Sequence, residues 1–426
     1  MTAQASQLVQ IEKPVYGGAF LARVAGKAVF VPLTLPGEQV QVRITQDKRG
    51  YSTAEAEEIV VASPQRVAPG CRHFGVCGGC SYQHTDCGSQ LALKQAILRE
   101  TLERGGVHAP DEIAVLSAEP WGYRNRIRLA FDAQGNPGYR GRRSHAVVPI
   151  SECPIAAPLL VIAAMAAAEI MPRSLLHQRP AEISLFCDAQ ETALLVSIMT
   201  ANPAKAQVDD FARVLNERIP TLIGVEFVTE GLAGRQPRTV ARWGAVSLAY
   251  RAAGFDYRVD HGAFFQVNRW LVDALVDRVT AGCKGVLAWD LFAGVGLFAR
   301  QFAASFEHVV AVESAPAAMA ALEENLSGTA GVAVRADALA FLGRQHKERP
   351  DLIVVDPPRT GLGAEMTALL GSVAAAEIVY VSCDPATLAR DLRTLVGSGY
   401  VIESVTLADL FPQTFHLETV LRLRRA

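Results

Sequence analysis

The sequence predicts a multidomain α/β protein in which a small β-barrel precedes a mixed α+β central domain and a C-terminal domain of alternating strands and helices. Three observations predict this fold class. Short alternating strands fill residues 1–65, a cysteine cluster follows them, and regular strand–helix alternation begins near residue 246. A chain of 426 residues has room for two or three domains. We therefore expect domains at 1–65, 66–245 and 246–426.

The composition is that of a folded protein without a strong overall charge. Hydrophobic residues make up 50% of the chain and the net charge is -2, so a surface for nucleic acid must be a local patch. The longest apolar run, residues 159–168, is about half the length of a bilayer span, and no signal peptide is visible. We expect a cytoplasmic protein without membrane contact, whose eight cysteines bind metal or react rather than form disulfides.

The first domain is predicted to contain five short strands. Apolar and polar residues alternate in segments that begin near Val9, Phe20, Lys27, Glu38 and Ala54, and turns that contain glycine separate them. Five such strands are typical of a small closed barrel of the oligonucleotide-binding kind. On this pattern alone the barrel either binds RNA or serves a purely structural purpose.

A cysteine cluster opens the second domain. Cys71, Cys77 and Cys80 lie close together, and the glycines between them let the backbone fold tightly around a centre. A fourth thiolate is offered by Cys87, which is near in sequence, or by the distant Cys153. Four thiolates suit a zinc ion and an iron–sulfur cluster equally well, and the spacing does not choose between them.

A helix and an arginine-rich stretch follow the cysteines. Residues 90–104 are rich in Leu, Ala, Lys and Glu, which favours a helix, and we expect this helix, at about 89–105, to pack on the C-terminal domain. Further on, arginines alternate with apolar residues, which places them on one face of a strand, and aromatic residues lie among them. Such a surface suits contact with RNA phosphates and bases. The arginines are Arg124, Arg126, Arg128, Arg140, Arg142 and Arg143.

A strand, a glycine loop and an acid form the first binding motif of the third domain. A strand ends at Phe292, a tight loop with two glycines occupies 293–296, and the next strand ends at Glu313. Glycines let a cofactor approach the backbone, and the acid can bind two ribose hydroxyls. Ala299 replaces the third glycine of the dinucleotide pattern, and no dense basic group follows to meet a pyrophosphate. The motif therefore favours S-adenosylmethionine over NAD in a Rossmann-like fold.

Three more polar residues are candidates for contact with the cofactor or the target. Asp337 follows the third strand, where it can accept a hydrogen bond from an adenine amino group. Gln266 precedes the glycine loop, in a segment whose aromatic and amide groups can cover the cofactor or the target. Asp356 follows the strand 351–355 and can hold a planar polar ring.

Cys383 is the candidate nucleophile. It lies between a predicted strand, 377–380, and a predicted helix, 386–396, at the sheet edge where open α/β folds bind ligands. We expect the helix N-terminus beside it to favour the thiolate. A lone cysteine in such a place is more often a core residue, but Asp356 and Glu418 add an acid that can hold a ring and a carboxylate base.

Together these segments resemble the RNA (uracil-C5)-methyltransferase family, in particular its ribosomal RNA branch, over nearly the whole chain. The resemblance implies a TRAM domain at the N-terminus, a class I methyltransferase fold at the C-terminus, and S-adenosylmethionine and a four-iron, four-sulfur (4Fe-4S) cluster as cofactors. The motifs are C-x5-C-G-G-C at 71–80, the pair C-P at 153–154, F-F-Q-V-N at 264–268, D-L-F-A-G-V-G at 290–296, D-P-P-R at 356–359, S-C-D-P-A-T-L-A-R-D at 382–391 and H-L-E-T-V at 416–420.

The resemblance also assigns roles to residues. It implies that Cys383 attacks C6 of a uridine in 23S ribosomal RNA and that Glu418 removes the C5 proton. It moves the fourth cluster ligand to Cys153 and leaves Cys87 free. The implied cluster ligands are Cys71, Cys77, Cys80 and Cys153, and the implied contacts to cofactor or uracil are Gln266, Phe292, Glu313, Asp337 and Asp356.

Two residues depart from the family pattern. Leu297 replaces an Asn that often follows the glycine loop, which removes a polar contact to the cofactor. Asp384 stands where the family often has Asn, and we expect its charge to raise the pKa of the neighbouring thiol.

Three alternative functions stay open. In the first alternative the substrate is a transfer RNA. In the second the protein is an RNA-binding iron–sulfur protein with an inactive methyltransferase domain. The presence of both Cys383 and Glu418 speaks against an inactive site. The third is methylation of an adenine amino group, against which Arg359 stands in place of the aromatic residue usual after the two prolines. We expect a monomer.

Overall fold

The computed structural model describes residues 6–171, 182–200, 205–229, 238–345 and 348–426. In these ranges the strands form a closed five-stranded barrel, a seven-stranded sheet, a two-stranded hairpin and an eight-stranded sheet. The N-terminal barrel and the C-terminal sheet of alternating strands and helices confirm the predicted fold class. Within the described ranges, no helix combines the length and the apolar character that crossing a membrane requires.

Alternating side chains close the N-terminal barrel. Val9, Ile11, Phe20 and Val31 are at most 4% exposed and fill its interior, whereas Gln10 faces outward between two of them. The strand order is β1-β2-β3-β5-β4, and β1 pairs with β4 to complete the closure. The strands are β1 (Gln7–Val15), β2 (Ala19–Val24), β3 (Lys27–Pro32), β4 (Gln39–Asp47) and β5 (Tyr51–Val61).

The central sheet is covered on one face by two helices, α2 (Pro158–Ile170) and α3 (Lys205–Arg218). Ala163, Ala164 and Ala167 are fully buried, and their small side chains let α2 pack closely on the sheet. The strand order is β13-β12-β11-β10-β7-β8-β9. These strands are β7 (Arg126–Phe131), β8 (Pro137–Arg140), β9 (Val147–Pro149), β10 (Glu182–Cys187), β11 (Leu194–Met199), β12 (Leu222–Thr229) and β13 (Arg238–Gly244).

A hairpin of β14 (Ser247–Ala252) and β15 (Phe255–Asp260) leads into the C-terminal domain. The remaining strands of the domain are β16 (Gly285–Leu291), β17 (Phe306–Glu313), β18 (Gly331–Arg335), β19 (Leu352–Val355), β20 (Glu377–Ser382), β21 (Tyr400–Ala408) and β22 (Glu418–Arg425). Its helices are α4 (Val272–Thr280), α5 (Ala299–Phe302), α6 (Pro316–Leu326), α7 (Ala338–Leu342), α8 (Gly363–Val373) and α9 (Pro385–Gly397).

The order of the C-terminal sheet creates a crevice at its carboxyl edge. The strands run β18-β17-β16-β19-β20-β22-β21-β6, where β6 is Ala114–Leu116. Chain progression reverses between β16 and β19, so the connections after these two parallel strands lead in opposite directions. Such a switch point leaves a crevice in which open α/β sheets bind their ligands.

A segment from early in the chain packs on the C-terminal sheet. Strand β6 pairs in parallel with β21, and helix α1 (Cys87–Arg104) buries Ile97, Leu98 and Leu102 in the same core as α9. The end of α1 approaches α9 so closely that a Cβ on Gly105 would lie 2.6 Å from the Cβ of Ala389. Leu93 of α1 packs in the core of the barrel and Glu100 pairs with Lys13 of β1, so α1 contacts both the barrel and the C-terminal sheet.

Candidate active site

Strand register places the two candidate reacting groups side by side. Strand β22 runs antiparallel to β20, and Ser382 pairs with Thr419. The next residue after β20 is Cys383, and the first residue of β22 is Glu418, so the two lie on adjacent strands at one edge of the sheet. Asp356 follows the neighbouring strand β19 at the same edge.

Burial and two carboxylates keep Cys383 protonated in the ligand-free protein. The pKa of its thiol is raised to about 11, first by burial and then by the negative charges of Glu418 and Asp356, while Arg359 lowers it. The net effect of these surroundings is a raised pKa of the thiol, and the contribution of the helix N-terminus stays a prediction.

Asp384 occupies the first backbone amides of α9. Its carboxylate caps α9, with Oδ1 accepting hydrogen bonds from the backbone amides of Ala386 and Thr387 at 3.0 Å. The amides that favour a thiolate are thus already engaged by a carboxylate. The increase in the pKa of the thiol comes chiefly from burial and from acids on other strands.

Three carboxyl groups share the crevice. Glu418 is 6% exposed, and burial and the charge of Asp356 raise its pKa well above the usual range. Asp356 keeps some accessible surface, yet it lies deep enough for burial to raise its pKa as well. Burial, with smaller effects of Asp356 and Glu313, raises the pKa of Asp290 to about 7. Three buried acids this close do not all ionise at neutral pH.

Asp290 was not singled out by the sequence analysis, although it begins the D-L-F-A-G-V-G motif. It is fully buried at the end of β16, and its Oδ2 accepts a hydrogen bond from the amide of Ala299 at 2.9 Å. Its Oδ1 has no hydrogen-bond partner in the described part of the chain. A buried carboxyl oxygen without a partner is costly and suggests that a polar ligand group completes the site.

The glycine loop is shaped by Glu313. One oxygen of this carboxylate accepts from the amide of Gly294 at 2.9 Å, and the other accepts from the amides of Ser314 and Ala315. Phe292, at the start of the loop, has a φ of 73°, a conformation that costs a non-glycine residue about 1–3 kcal/mol. The loop and the acid fit the adenosyl part of S-adenosylmethionine, which would lie against them.

The side chains of the other predicted cofactor contacts differ in their exposure and in their hydrogen bonds. Asp337 is exposed and caps α7, with Oδ1 accepting from the amides of Leu339 and Ala340, so only Oδ2 is free of this contact. Gln266 is 7% exposed, and its backbone carbonyl accepts a hydrogen bond from Asn125 Nδ2. Leu297, the departure from the family pattern, is 7% exposed and packs in the hydrophobic core, so no polar side chain faces the cofactor from this position.

The four cysteines implied by the resemblance line one cavity of about 260 Å³. Cys87 does not line it; this exposed residue begins α1, and its Sγ lies 4.0 Å from the side-chain nitrogen of Gln413. The structure therefore separates the two candidates for fourth ligand. The residues at the cavity are Cys71, Cys77, Cys80 and Cys153.

The four thiols at the cavity are a donor set that suits an iron–sulfur cluster, which takes one thiolate per iron. Four thiolates also suit one zinc ion. Among the described residues, no three His, Cys, Asp or Glu side chains converge on one point.

The six predicted RNA-binding arginines lie along two neighbouring cavities. One, of about 1040 Å³, lies between the central sheet and the C-terminal domain, and the other, of about 530 Å³, lies between the barrel and the central sheet. Arg124, Arg126 and Arg128 line the larger cavity; Arg128, Arg140, Arg142 and Arg143 line the smaller.

The arginines do not form the single exposed face expected from a period of two. Arg128 is exposed and pairs with Glu182, whereas Arg126 lies with its guanidinium 4.2 Å from the ring centre of Phe186 and donates to a backbone carbonyl. The Nε atoms of Arg124 and Arg126 are buried and have no hydrogen-bond partner in the described ranges. Tertiary packing has thus drawn part of this face inward.

Sequence reasoning missed two side chains at the edge of the active site. The hydroxyl of Tyr16, from the barrel, donates to the carbonyl of Cys383 at 3.4 Å. His416 lies 3.2 Å from a guanidinium nitrogen of Arg359, and burial followed by the nearby positive charges lowers its pKa to about 4. The only sequence signal for His416 was its place in the H-L-E-T-V motif, and no sequence pattern indicated Tyr16.

Two family models match the two ends of the chain, and several known proteins are similar to it over nearly its whole length. The TRAM domain family model matches residues 5–56, and the model described as tRNA (Uracil-5-)-methyltransferase matches residues 346–426. A 23S rRNA (uracil(1939)-C(5))-methyltransferase RlmD of Azoarcus sp. (strain BH72) is 36% identical, over 97% of this chain and 99% of that protein. An uncharacterized RNA methyltransferase of Streptomyces avermitilis is 35% identical, over 98% of each chain.

A solved structure shows the same fold. The tRNA (uracil-54, C5)-methyltransferase of Pyrococcus abyssi, in complex with S-adenosyl-L-homocysteine, matches with a TM-score of 0.77 at 23% identity. The match covers 98% of this chain and 100% of that one, so the arrangement of all three parts of the molecule is shared.

The origin of the raised thiol pKa can be tested by alkylation. With a pKa of about 11, roughly one thiol in a hundred is ionised at pH 9, and every unit by which the pKa falls speeds alkylation about tenfold. We expect Glu418→Gln to speed iodoacetamide labelling of Cys383 at pH 9, measured by peptide mass spectrometry. Asp384→Asn is the matched control and should change the rate less; a larger effect of Asp384→Asn would contradict this assignment.

Proposed function

The chain belongs to the RNA (uracil-C5)-methyltransferase family, and we propose that it transfers the methyl group of S-adenosylmethionine to C5 of one uridine in 23S ribosomal RNA. The observation that carries the proposal is the adjacency of Cys383, which follows β20, and Glu418, which begins β22, at one edge of the sheet. Full-length similarity to a relative named for 23S ribosomal RNA supports this RNA over transfer RNA.

Cys383 makes the target carbon reactive. C5 of uracil is too weak a nucleophile to take a methyl group unaided. Once the Cys383 thiol has given up its proton to water, attack of the thiolate on C6 forms a carbon–sulfur bond and moves the C5–C6 electron pair into an enolate, in which C5 is nucleophilic. When bound, S-adenosylmethionine supplies an electrophilic methyl group and a positive sulfonium charge. Arg359 is the side chain of this chain that favours the thiolate by its charge.

Glu418 completes the reaction as the base. After methyl transfer, C5 carries both the new methyl group and its original proton. The Glu418 carboxylate takes this proton, the electron pair re-forms the C5–C6 double bond, and the Cys383 thiolate leaves. A raised pKa makes the carboxylate a stronger base, which suits a proton bound to carbon.

Asp356 can select uracil. As the residue after β19, it lies beside the reacting pair and near Asp290. A carboxylate there accepts a hydrogen bond from N3–H of uracil, whereas cytosine offers only an acceptor at N3. We propose that this contact orients the ring as well as choosing it.

The RNA must present its uridine outside a base stack. A thiolate approaches C6 from the face of the ring, and stacking covers that face, so the target is flipped out or lies in a loop. We propose that the RNA follows the two arginine-lined cavities, with the barrel on one side. In this arrangement the domain at 1–65 binds RNA, the domain at 66–245 carries the cluster, and the domain at 246–426 carries out catalysis. Helix α1 contacts both the first and the last of these domains.

A 4Fe-4S cluster held by the four cysteines would be structural. It would tie the 71–80 loop to Cys153, which lies far away in sequence, and it takes part in none of the bond changes above. Its loss should reduce folding or RNA binding, because a cluster ligated only in the folded state stabilises that state.

Release of the C5 proton tests the reaction class. With RNA tritiated at uracil C5 and S-adenosylmethionine, the wild type should release tritium into water and Cys383→Ala should release none. A fragment of 23S ribosomal RNA and bulk transfer RNA, tested in parallel, distinguish the two substrates. Release from transfer RNA alone would overturn the ribosomal assignment, and no release from either RNA would overturn the enzyme.

Ligand assignment at the cysteine site can be tested by iron content. Cys153→Ser should lose most of its iron and its broad visible absorbance, because it removes a ligand at the cavity. Cys87→Ser, the matched control at an exposed position, should keep both. Loss of iron from Cys87→Ser but not from Cys153→Ser would contradict the ligand set.

A further inference from the structure

The loop between β21 and β22 delivers Glu418 to the active site. It spans residues 409–417, and the pairing of Ala408 with Glu418 closes it at its base. Leu417, the residue before Glu418, is 1% exposed and packs in the core. This loop is therefore directly continuous with the start of β22, where the proposed base lies.

Four consecutive backbone carbonyls of the loop each accept a hydrogen bond from another part of the molecule. Such a run of long-range contacts leaves the loop no freedom to shift without breaking several bonds at once. The donors and acceptors are Asn268 Nδ2 to Leu410 (3.1 Å), Lys94 Nζ to Phe411 (3.0 Å), the Tyr123 hydroxyl to Pro412 (3.1 Å), and the amides of Ser81 and Tyr82 to Gln413 (2.9 and 3.0 Å).

Gln413 forms hydrogen bonds through its backbone amide, its backbone carbonyl and its side chain. Its φ is 69°, a left-handed conformation that costs a residue with a side chain about 1–3 kcal/mol, and it is 2% exposed. Its amide donates to Gln90 Oε1 at 2.9 Å, and Gln90 Nε2 donates to its side-chain oxygen at 3.0 Å. Its carbonyl faces the opposite way, toward the cysteine loop. The strained backbone is what lets one residue bond in both directions.

The contact at the carbonyl of Gln413 reaches the cysteine site directly. The two backbone amides that donate hydrogen bonds to this carbonyl belong to Ser81 and Tyr82, the residues that follow Cys80. The barrel closes over the same place, because a Cβ on Gly18 would lie 3.1 Å from Phe415. A cluster bound through Cys80 would thus fix the donors that hold the loop.

We propose that Gln413 is a positioning residue that makes the placement of the catalytic base Glu418 depend on the cysteine site. Helix α1 holds the loop from one side through Gln90 and the cysteine loop holds it from the other. Loosening either contact lets the start of β22 move away from the uracil. This inference rests on the proposed function for its catalytic part and on the proposed cluster for its link to the cysteine site.

The catalytic part is tested by the fate of the covalent intermediate. A misplaced base slows removal of the C5 proton but leaves attack by Cys383 intact, so a methylated RNA–protein adduct should accumulate and survive denaturing electrophoresis. Gln413→Pro forces φ to about -65° and removes the amide donor. We expect turnover to fall on the order of 10- to 100-fold with adduct accumulation.

The controls separate positioning from folding. Gln413→Gly keeps the positive φ, the backbone amide and the carbonyl but loses the side-chain contact to Gln90, and its turnover should fall less than that of Gln413→Pro. Gln90→Ala removes the partner of the amide without changing the loop backbone, and should accumulate adduct as Gln413→Pro does. If the amount of covalent adduct and the turnover both fell in Gln413→Pro and Gln90→Ala relative to wild type, the proposal would be overturned. Absence of methylation by the wild type would instead refute the proposed function, and the catalytic role of Gln413 with it.

The link to the cysteine site is tested without RNA. Coupling is reciprocal, so loosening the loop must weaken the cysteine site if the cysteine site holds the loop. Iron transfer from the holoprotein to a chelator should be at least severalfold faster for Gln413→Pro and Gln90→Ala than for wild type and Gln413→Gly. Equal rates in all four proteins would overturn the link.

Discussion

The antiparallel pairing of β22 with β20 is the constraint on which the active site depends. In a purely parallel sheet every strand offers its carboxyl end to the crevice, and the residues there all follow a strand. Here β22 enters in the opposite direction, so its first residue, Glu418, lies beside the residue that follows β20, Cys383. The proposed base and nucleophile, which are distant in sequence, become neighbours through this register.

The same arrangement sets the electrostatics. Burying Glu418, Asp356 and Asp290 together raises the pKa of each, and the first two raise the pKa of the Cys383 thiol. The ligand-free site is therefore poised with its thiol protonated, and a cationic ligand at the crevice would shift the balance toward the thiolate. Protection of the thiol until the ligands are in place is a physical consequence of concentrating acids around it.

Much of this was predictable from sequence because it depends on local pattern. Alternating side chains predicted the five barrel strands, and strand ends at Phe292, Glu313 and Asp356 predicted the binding edge. The failures come from distant contacts. Packing against Phe186 drew Arg126 inward from its predicted face. Gln413 carries no sequence signal, since its partner Gln90 lies 323 residues away.

The central claim is that Cys383 attacks C6 of a uracil in RNA, and 5-fluorouridine RNA tests it most directly. Fluorine at C5 cannot leave as a proton does, so the methylated adduct should remain attached to the protein. After trypsin digestion, the account predicts a nucleotide on the peptide 360–390, in which Cys383 is the only cysteine. Attachment to a different cysteine, or no covalent complex with an RNA that the protein methylates, would contradict it.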